Sequence, residues 1–214
     1  MKYIRDSMHS EGGMPADLVD QVKQALVKYA RRAYEIGLQT GNGGNVSSRI
    51  AGTDRVVIKG SGQSFGECTL ENLVTVSLQG QLIDGEGPPS WELMTHLAIY
   101  NARPDVMGIF HCHAPWSIAC AEFAADIPCV SLHAEAKIGR IPVLRVAGHA
   151  DRAVAEAVQA LLAQQPGLKV FVQAKHGIFS LAGSIRLAEH NAELVEETAK
   201  IAWLVALRKQ QEPG

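Results

Sequence analysis

Segments whose apolar residues recur every three or four positions alternate with short runs rich in β-branched residues. That alternation restricts the chain to helices packed on a sheet. From Pro15 to about Leu38, Val19, Val22, Leu26, Tyr29, Ala30 and Ala33 fall at helical steps and predict one buried helix face ending at glycine. GLQTGNGGNVSSRI, rich in Gly, Asn and Ser, predicts a turn that leads into DRVVIKGSGQSF, a strand with a second glycine turn. NLVTVSLQGQLIDG reads as strand, turn and strand. Trp91 to Ala102 predicts a helix capped by Ser90, with Glu92 in its first turn and Pro104 as its stop. VMGIFHCH follows as a buried strand and APWSIACAEFA as a helix. IPCVSLHAEAKIGRIPVLRV predicts two short extended pieces, and DRAVAEAVQALLAQQ predicts an amphipathic helix ended by Pro166-Gly167. LKVFVQAKHG is a strand leading into IFSLAG, and Ser184 to about Leu207 a long helix.

No repeat, low-complexity tract or linker interrupts this series, so residues 1–214 predict a single α/β domain with flexible ends at 1–14 and 209–214. A net charge of −2 gives no extended basic surface, which disfavours nucleic acid as a partner. No run of 18 apolar residues occurs and the first residues lack the apolar middle of a signal peptide, so neither a membrane partner nor export is expected. The expected location is the cytoplasm. Cys68, Cys112, Cys120 and Cys129 lack paired C-x-x-C spacing and read as small core hydrophobes.

The chemistry starts at His111-Cys112-His113. Alternate strand residues share a face with Cα atoms roughly 6 to 7 Å apart, so two imidazoles can converge on one ion while Cys112 faces the opposite layer. The plainer alternative is a hydrogen-bonded core histidine. A divalent ion needs a third ligand, and His176, closing VFVQAKHG before Gly177, has the same strand-end placement. Three neutral imidazoles leave the ion its full charge and an open position for a substrate oxygen. Glu92 can be a fourth ligand or a general base, or it can simply favour a positive helix N-terminus. His9, His96, His133, His149 and His190 read as surface or packing residues, with His133 in an irregular segment that could border a site. The turns GNGGNVSS and KGSG expose N–H donors and, with Ser90, offer an anion nest; taken singly, each is also an ordinary tight turn.

GNGGNVSSR, IKGSG, PSWE, HLAIYNARPDVMGIFHCH and KHG before a long C-terminal helix occur in an order that resembles the class II aldolase/adducin family over about Leu18 to Leu207. Glu92 precedes His111 by 19 residues and His113 by 21, as in aldolases of that family. The resemblance implies a three-layer α/β/α domain with a central, mainly antiparallel sheet, and a homotetramer. It implies that His111, His113 and His176 bind a divalent metal, chiefly zinc, with manganese, cobalt or iron as alternatives. It implies Glu92 as the acid-base residue, and Gly44, Asn45, Ser61, Gly62 and Ser90 as a phosphate pocket. Two differences from the family pattern are informative: Trp91 stands where a serine is usual, and the segment around Leu132 and His133 lacks the tyrosine that resembles a proton donor, leaving His133 or Glu135 as substitutes. Asn42 also replaces a usual threonine.

The resulting expectation is a class II, metal-dependent aldehyde-lyase. It would cleave or form a C–C bond in a small hydroxylated keto compound, such as a sugar phosphate, through a metal-stabilised enediolate. The alternatives are a decarboxylase of a 3-oxo acid in the same family and a non-catalytic adducin-like assembly domain. A cupin barrel also uses H-x-H to bind metal, but long helical patterns oppose it.

Overall fold

The computed structural model describes residues 16–210, and within them helices cover both faces of an eight-stranded sheet. In chain order the elements are α1 (Ala16–Glu35), β1 (Asn45–Arg49), β2 (Arg55–Lys59), β3 (Leu73–Ser77), β4 (Leu82–Asp84), α2 (Leu93–Ala102) and β5 (Gly108–Cys112). They continue with α3 (Pro115–Phe123), α4 (Leu132–Lys137), β6 (Val143–Leu144), α5 (Arg152–Gln164), β7 (Val170–Gln173), β8 (Gly177–Ala182) and α6 (Ile185–Gln210). The sheet order is β4-β3-β2-β1-β5-β8-β7-β6, antiparallel except for the β6–β7 edge pair. This is the three-layer α/β/α arrangement implied by the motif order.

Strand alternation assigns residues to two cores. Val46, Val57, Phe110, Cys112 and Ile178 meet Leu26 and Ala30 of α1, Ala121 of α3, and Ala188 and Val195 of α6. On the opposite face Val56, Ile58, Ile109, Phe171 and Phe179 meet Leu97 and Ile99 of α2 and Val154 and Val158 of α5. His111 has the parity of Ile109 and is fully buried. A hydrophobic side chain of that size would contribute about 2 kcal/mol there, so a buried imidazole calls for another account. The start of α2, which carries Glu92, lies in that same layer.

Several local expectations change. NVSSR is a strand, β1, rather than part of a turn, and the Asn45 and Ser47 side chains find buried partners there. The segment before α5 holds one short strand, β6, and a helix, α4, whose N-cap Ser131 accepts a hydrogen bond from Ala134 N–H. α1 ends at Glu35 rather than near Leu38. Ser90 does not cap α2: its hydroxyl accepts from Glu92 N–H in a preceding turn, and Glu92 itself is the N-cap. His176 lies beyond the end of β7, in the turn to β8. Lys209 and Gln210, expected in a flexible end, belong to the last turn of α6. The expectations for residues 1–14 and 211–214, and for His9, lie outside the described residues.

β5 crosses beneath the start of α6 with no space for a side chain at Gly108, where an added Cβ would collide with the backbone of Ser184 and Ile185. Gly108→Ala is expected to cost about 3 kcal/mol through overpacking, whereas Gly183→Ala meets nothing within 4 Å. Urea unfolding of the two variants checks the contrast.

Candidate metal centre

β1 and β8 flank β5, pairing Asn45 and Phe179 with His111. The chain leaves β5 just before His113, and the tight turn after β7, with Lys175 at φ 61°, brings His176 beside both histidines. The His111 and His113 Nε2 atoms are 3.1 Å apart. Glu92 Oε1 is 3.3 Å from His111 Nε2 and 3.0 Å from His176 Nε2. One potential ligand atom from each of Glu92, His111, His113 and His176 falls within 4.8 Å of the others.

Hydrogen bonds on the far side of two rings set their tautomers. His111 Nδ1–H donates to the Ile178 carbonyl at 2.9 Å, and its ring stacks on Phe179 with centroids 4.1 Å apart. His176 Nδ1–H donates to Gln173 Oε1 at 3.1 Å. In the neutral rings both Nε2 lone pairs therefore point into the cluster. Facing lone pairs repel unless a cation lies between them. Glu92 Oε2 is also buried without a hydrogen-bond partner, a costly state for a carboxylate oxygen. Three imidazole nitrogens and a carboxylate suit a divalent ion of the zinc type, so the residues present fit the group implied by the motifs.

The cluster's electrostatics point the same way. Burial alone would raise the Glu92 carboxyl, but positive charge at the His111 and His176 rings, when they carry it, outweighs burial and holds the group well below the usual carboxylate range, as a cation among these side chains would also do. Burial, with His111 and His176 nearby, pushes His113 down to about 4, so its ring is a neutral donor at pH 7.

A cleft of about 290 Å³ opens beside the cluster, and Gly44, Asn45, Ser61, Gly62 and Ser90 all line it. The expected N–H nest is only partly available. Gly60 N–H donates to Asn72, Ser61 N–H to Pro88, and Ser90 N–H to Lys59. Among the described residues, Gly62 N–H and the Ser61 hydroxyl keep no protein partner. The glycines before Asn45 have a second reason. A Cβ on Gly43 would lie 2.6 Å from His113 Nδ1, and one on Gly44 2.8 Å from the His111 carbonyl. The turn must approach the histidine pair with bare backbone.

Asn45 is held by a relay. Its Oδ1 accepts from His96 Nε2–H at 2.5 Å, so His96 Nδ1 accepts from the Ser47 hydroxyl at 2.7 Å, and Ser47 Oγ accepts from Tyr100 at 2.8 Å. His96 is thus a buried polar relay. Burial pushes His96 down to about 3. Since an unfolded histidine titrates near 6.5, unfolding takes up a proton below that pH; stability is complete above it and is lost as pH falls toward 3. Between pH 6.5 and 5 this residue should account for about 2 kcal/mol of lost stability. In His96→Gln, denaturant midpoints should show a correspondingly flatter decline.

Other site residues escaped the sequence reading. Gln39 Oε1 accepts from His113 N–H at 2.7 Å. Lys59 lines the cleft at 2% exposure and donates to Gly60 and Gln63 carbonyls, and burial lowers it to about 8. It stands in the motif IKGSG, between a strand and a glycine turn. His149, expected at the surface or in packing, lines the cleft with its ring 5.9 Å from that of His176. His133 and Glu135 are exposed on α4 and do not line the cleft. Trp91 lines it and is 74% exposed. No helix among the described residues is long and apolar enough to cross a membrane.

Comparison with known proteins agrees with this geometry. Among solved structures the chain is similar to an L-fuculose 1-phosphate aldolase, at 29% identity and TM-score 0.81 over 91% of this chain and 89% of that one. It is equally similar in fold, at 27% identity and TM-score 0.81 over 90% and 92% of the two chains, to YgbL from Klebsiella pneumoniae, whose description spans aldolase, epimerase and decarboxylase. The L-fuculose-1-phosphate aldolase from Thermus thermophilus, at 21% identity, shares the fold at TM-score 0.81 over 91% of this chain and 99% of that one. The model of the Class II Aldolase and Adducin N-terminal domain matches residues 24–203. With that match over most of its length and the histidine-carboxylate cluster at the centre of its sheet, the chain belongs to the class II aldolase and adducin family.

Proposed function

We propose that this protein is a divalent-metal-dependent aldolase, an aldehyde-lyase acting on a small hydroxylated keto compound such as a sugar phosphate. The observation that carries the reading is the convergence of His111, His113 and His176 with the partnerless Glu92 Oε2 beside a glycine- and serine-lined cleft. An assembly domain would have no use for that arrangement. His111, His113 and His176 would hold the ion, zinc by preference, with manganese, cobalt or iron as alternatives. When bound, a divalent ion supplies Lewis acidity that polarises a carbonyl or hydroxyl oxygen and stabilises negative charge developing there.

The chain's own residues do the rest. Gly62 N–H and the Ser61 hydroxyl, with Gly44, Asn45 and Ser90 around them, take the anionic end of the substrate. Breaking the C–C bond next to the carbinol releases an aldehyde and leaves an enediolate fragment. Glu92, ionised at the cluster, takes up the proton that the carbinol hydroxyl loses as the aldehyde forms and delivers it to the carbon of that fragment, and removes it in the reverse direction.

Trp91 supports a second reading. An indole replaces a small hydroxyl donor at the rim, which weakens phosphate recognition and favours a carboxylate. Decarboxylation of a 3-oxo acid generates a related enolate and needs the same proton transfer. Assays of metal-loaded protein on keto sugars, their phosphates and 3-oxo acids separate the two. Aldehyde release supports the aldolase, carbon dioxide release replaces it with the decarboxylase, and neither product from the panel counts against both.

We also assign residues 1–214 to a single domain working in the cytoplasm as a homotetramer. Phe123 and Leu132, 80% and 85% exposed, and an apolar cleft of about 480 Å³ lined by Phe123, Trp203 and Leu207 support burial against another copy.

A further inference from the structure

Gln173 ends β7 at 1% exposure, and its amide is used at both ends. Oε1 accepts from His176 Nδ1–H at 3.1 Å, and Nε2 donates to the Gly148 carbonyl at 2.8 Å. Gly148 lies in a short segment with φ 91° at Gly148 and 83° at Ala150, ending where Asp151 caps α5. A left-handed alanine costs about 1–2 kcal/mol, so contacts elsewhere must hold the segment in place. The segment carries His149, which lines the cleft beside His176.

We propose that Gln173 is a positioning residue that couples the two walls of the site. It turns His176 so that Nε2 faces the metal position, and through Gly148 it holds the segment that presents His149 to the cleft. The first half rests on the reading of His176 as a ligand. Glutamine suits the role because one bond needs an acceptor and the other a donor, from a single planar group. Glutamate would keep the acceptor for His176 but set an oxygen against the Gly148 carbonyl. Leucine would remove both bonds at similar size.

The variants separate the two halves. Zinc affinity, measured by chelator competition, should fall 10- to 100-fold in Gln173→Leu and stay within roughly threefold of wild type in Gln173→Glu, because only the former loses the partner that orients the ligand. Amide exchange of residues 147–150, measured on metal-free protein, should accelerate about fivefold or more in both variants, with α5 amides unchanged, for the loss of one buried hydrogen bond. General destabilisation would move both variants in step on both readouts. Wild-type zinc affinity in Gln173→Leu overturns the proposal, as does unchanged exchange in both variants. A wild-type protein that binds no zinc overturns the ligand reading and the His176 half with it, whereas the exchange result decides the tether without metal.

Discussion

In His113→Ala, zinc affinity is expected to fall by roughly 100-fold and product release by about 10³-fold. The first figure follows from sharing the roughly 10–16 kcal/mol of a four-ligand zinc site among its donors, which gives about 3 kcal/mol for one imidazole. The second follows from losing a Lewis acid that contributes several kcal/mol at the reacting oxygen. His113 is the informative ligand to remove because it lies beyond the end of β5 and is only partly buried. His111→Ala would also open a hole beneath Phe179 and confuse metal loss with unfolding. Metal content per chain, chelator competition and far-ultraviolet circular dichroism on the same samples check the result. One equivalent of zinc held with wild-type affinity would remove His113 from the ligand set.

Glu92→Gln should separate the two readouts. The amide is the same size and keeps an oxygen for the cluster, so metal content stays near wild type. It cannot accept and return a proton, so turnover should fall by about 10²–10⁴-fold, the range for a positioned general acid-base group. The geometry already bears on this. Oε1 faces the His111 and His176 Nε2 atoms, where a cation would hold it, while Oε2 is buried without a partner, a split that directs one oxygen to the metal position and leaves the other to react. Full turnover in a metal-loaded Glu92→Gln protein would refute the assignment. Turnover lost together with metal would make Glu92 chiefly a ligand.

The histidine cluster was readable where it depends on local period. His111 and His113 alternate in a short apolar run, and a period of two places both on the side opposite Cys112. For His176 the strand-end expectation holds only in part. It does not close a strand but projects from the turn that follows one, and it meets His111 because β8 returns beside β5. β1 is not legible because Asn45, Ser47 and Ser48 carry no hydrophobic signal; the side chains of Asn45 and Ser47 are buried on His96 and Tyr100, about 50 residues away in the chain. The glycine turns were read as anion nests from their composition, yet Pro88 and Asn72 take two of the N–H groups. His149 had no signal at all: it reaches the cleft through a loop held by a glutamine from another strand.

Helix and strand periodicity, the ordering of motifs and the pairing of His111 with His113 reside in neighbouring residues. They can be read before any folding is considered, because side-chain direction repeats every 3.6 or every two residues whatever the chain packs against. Which histidine completes the cluster, which carboxylate oxygen faces it, which N–H groups stay free and which side chains wall the cleft are long-range outcomes. They depend on the order β1-β5-β8-β7 and on hydrogen bonds between segments distant in the chain. Each such contact forms only when sheet and helices close around it, so no window of sequence carries it.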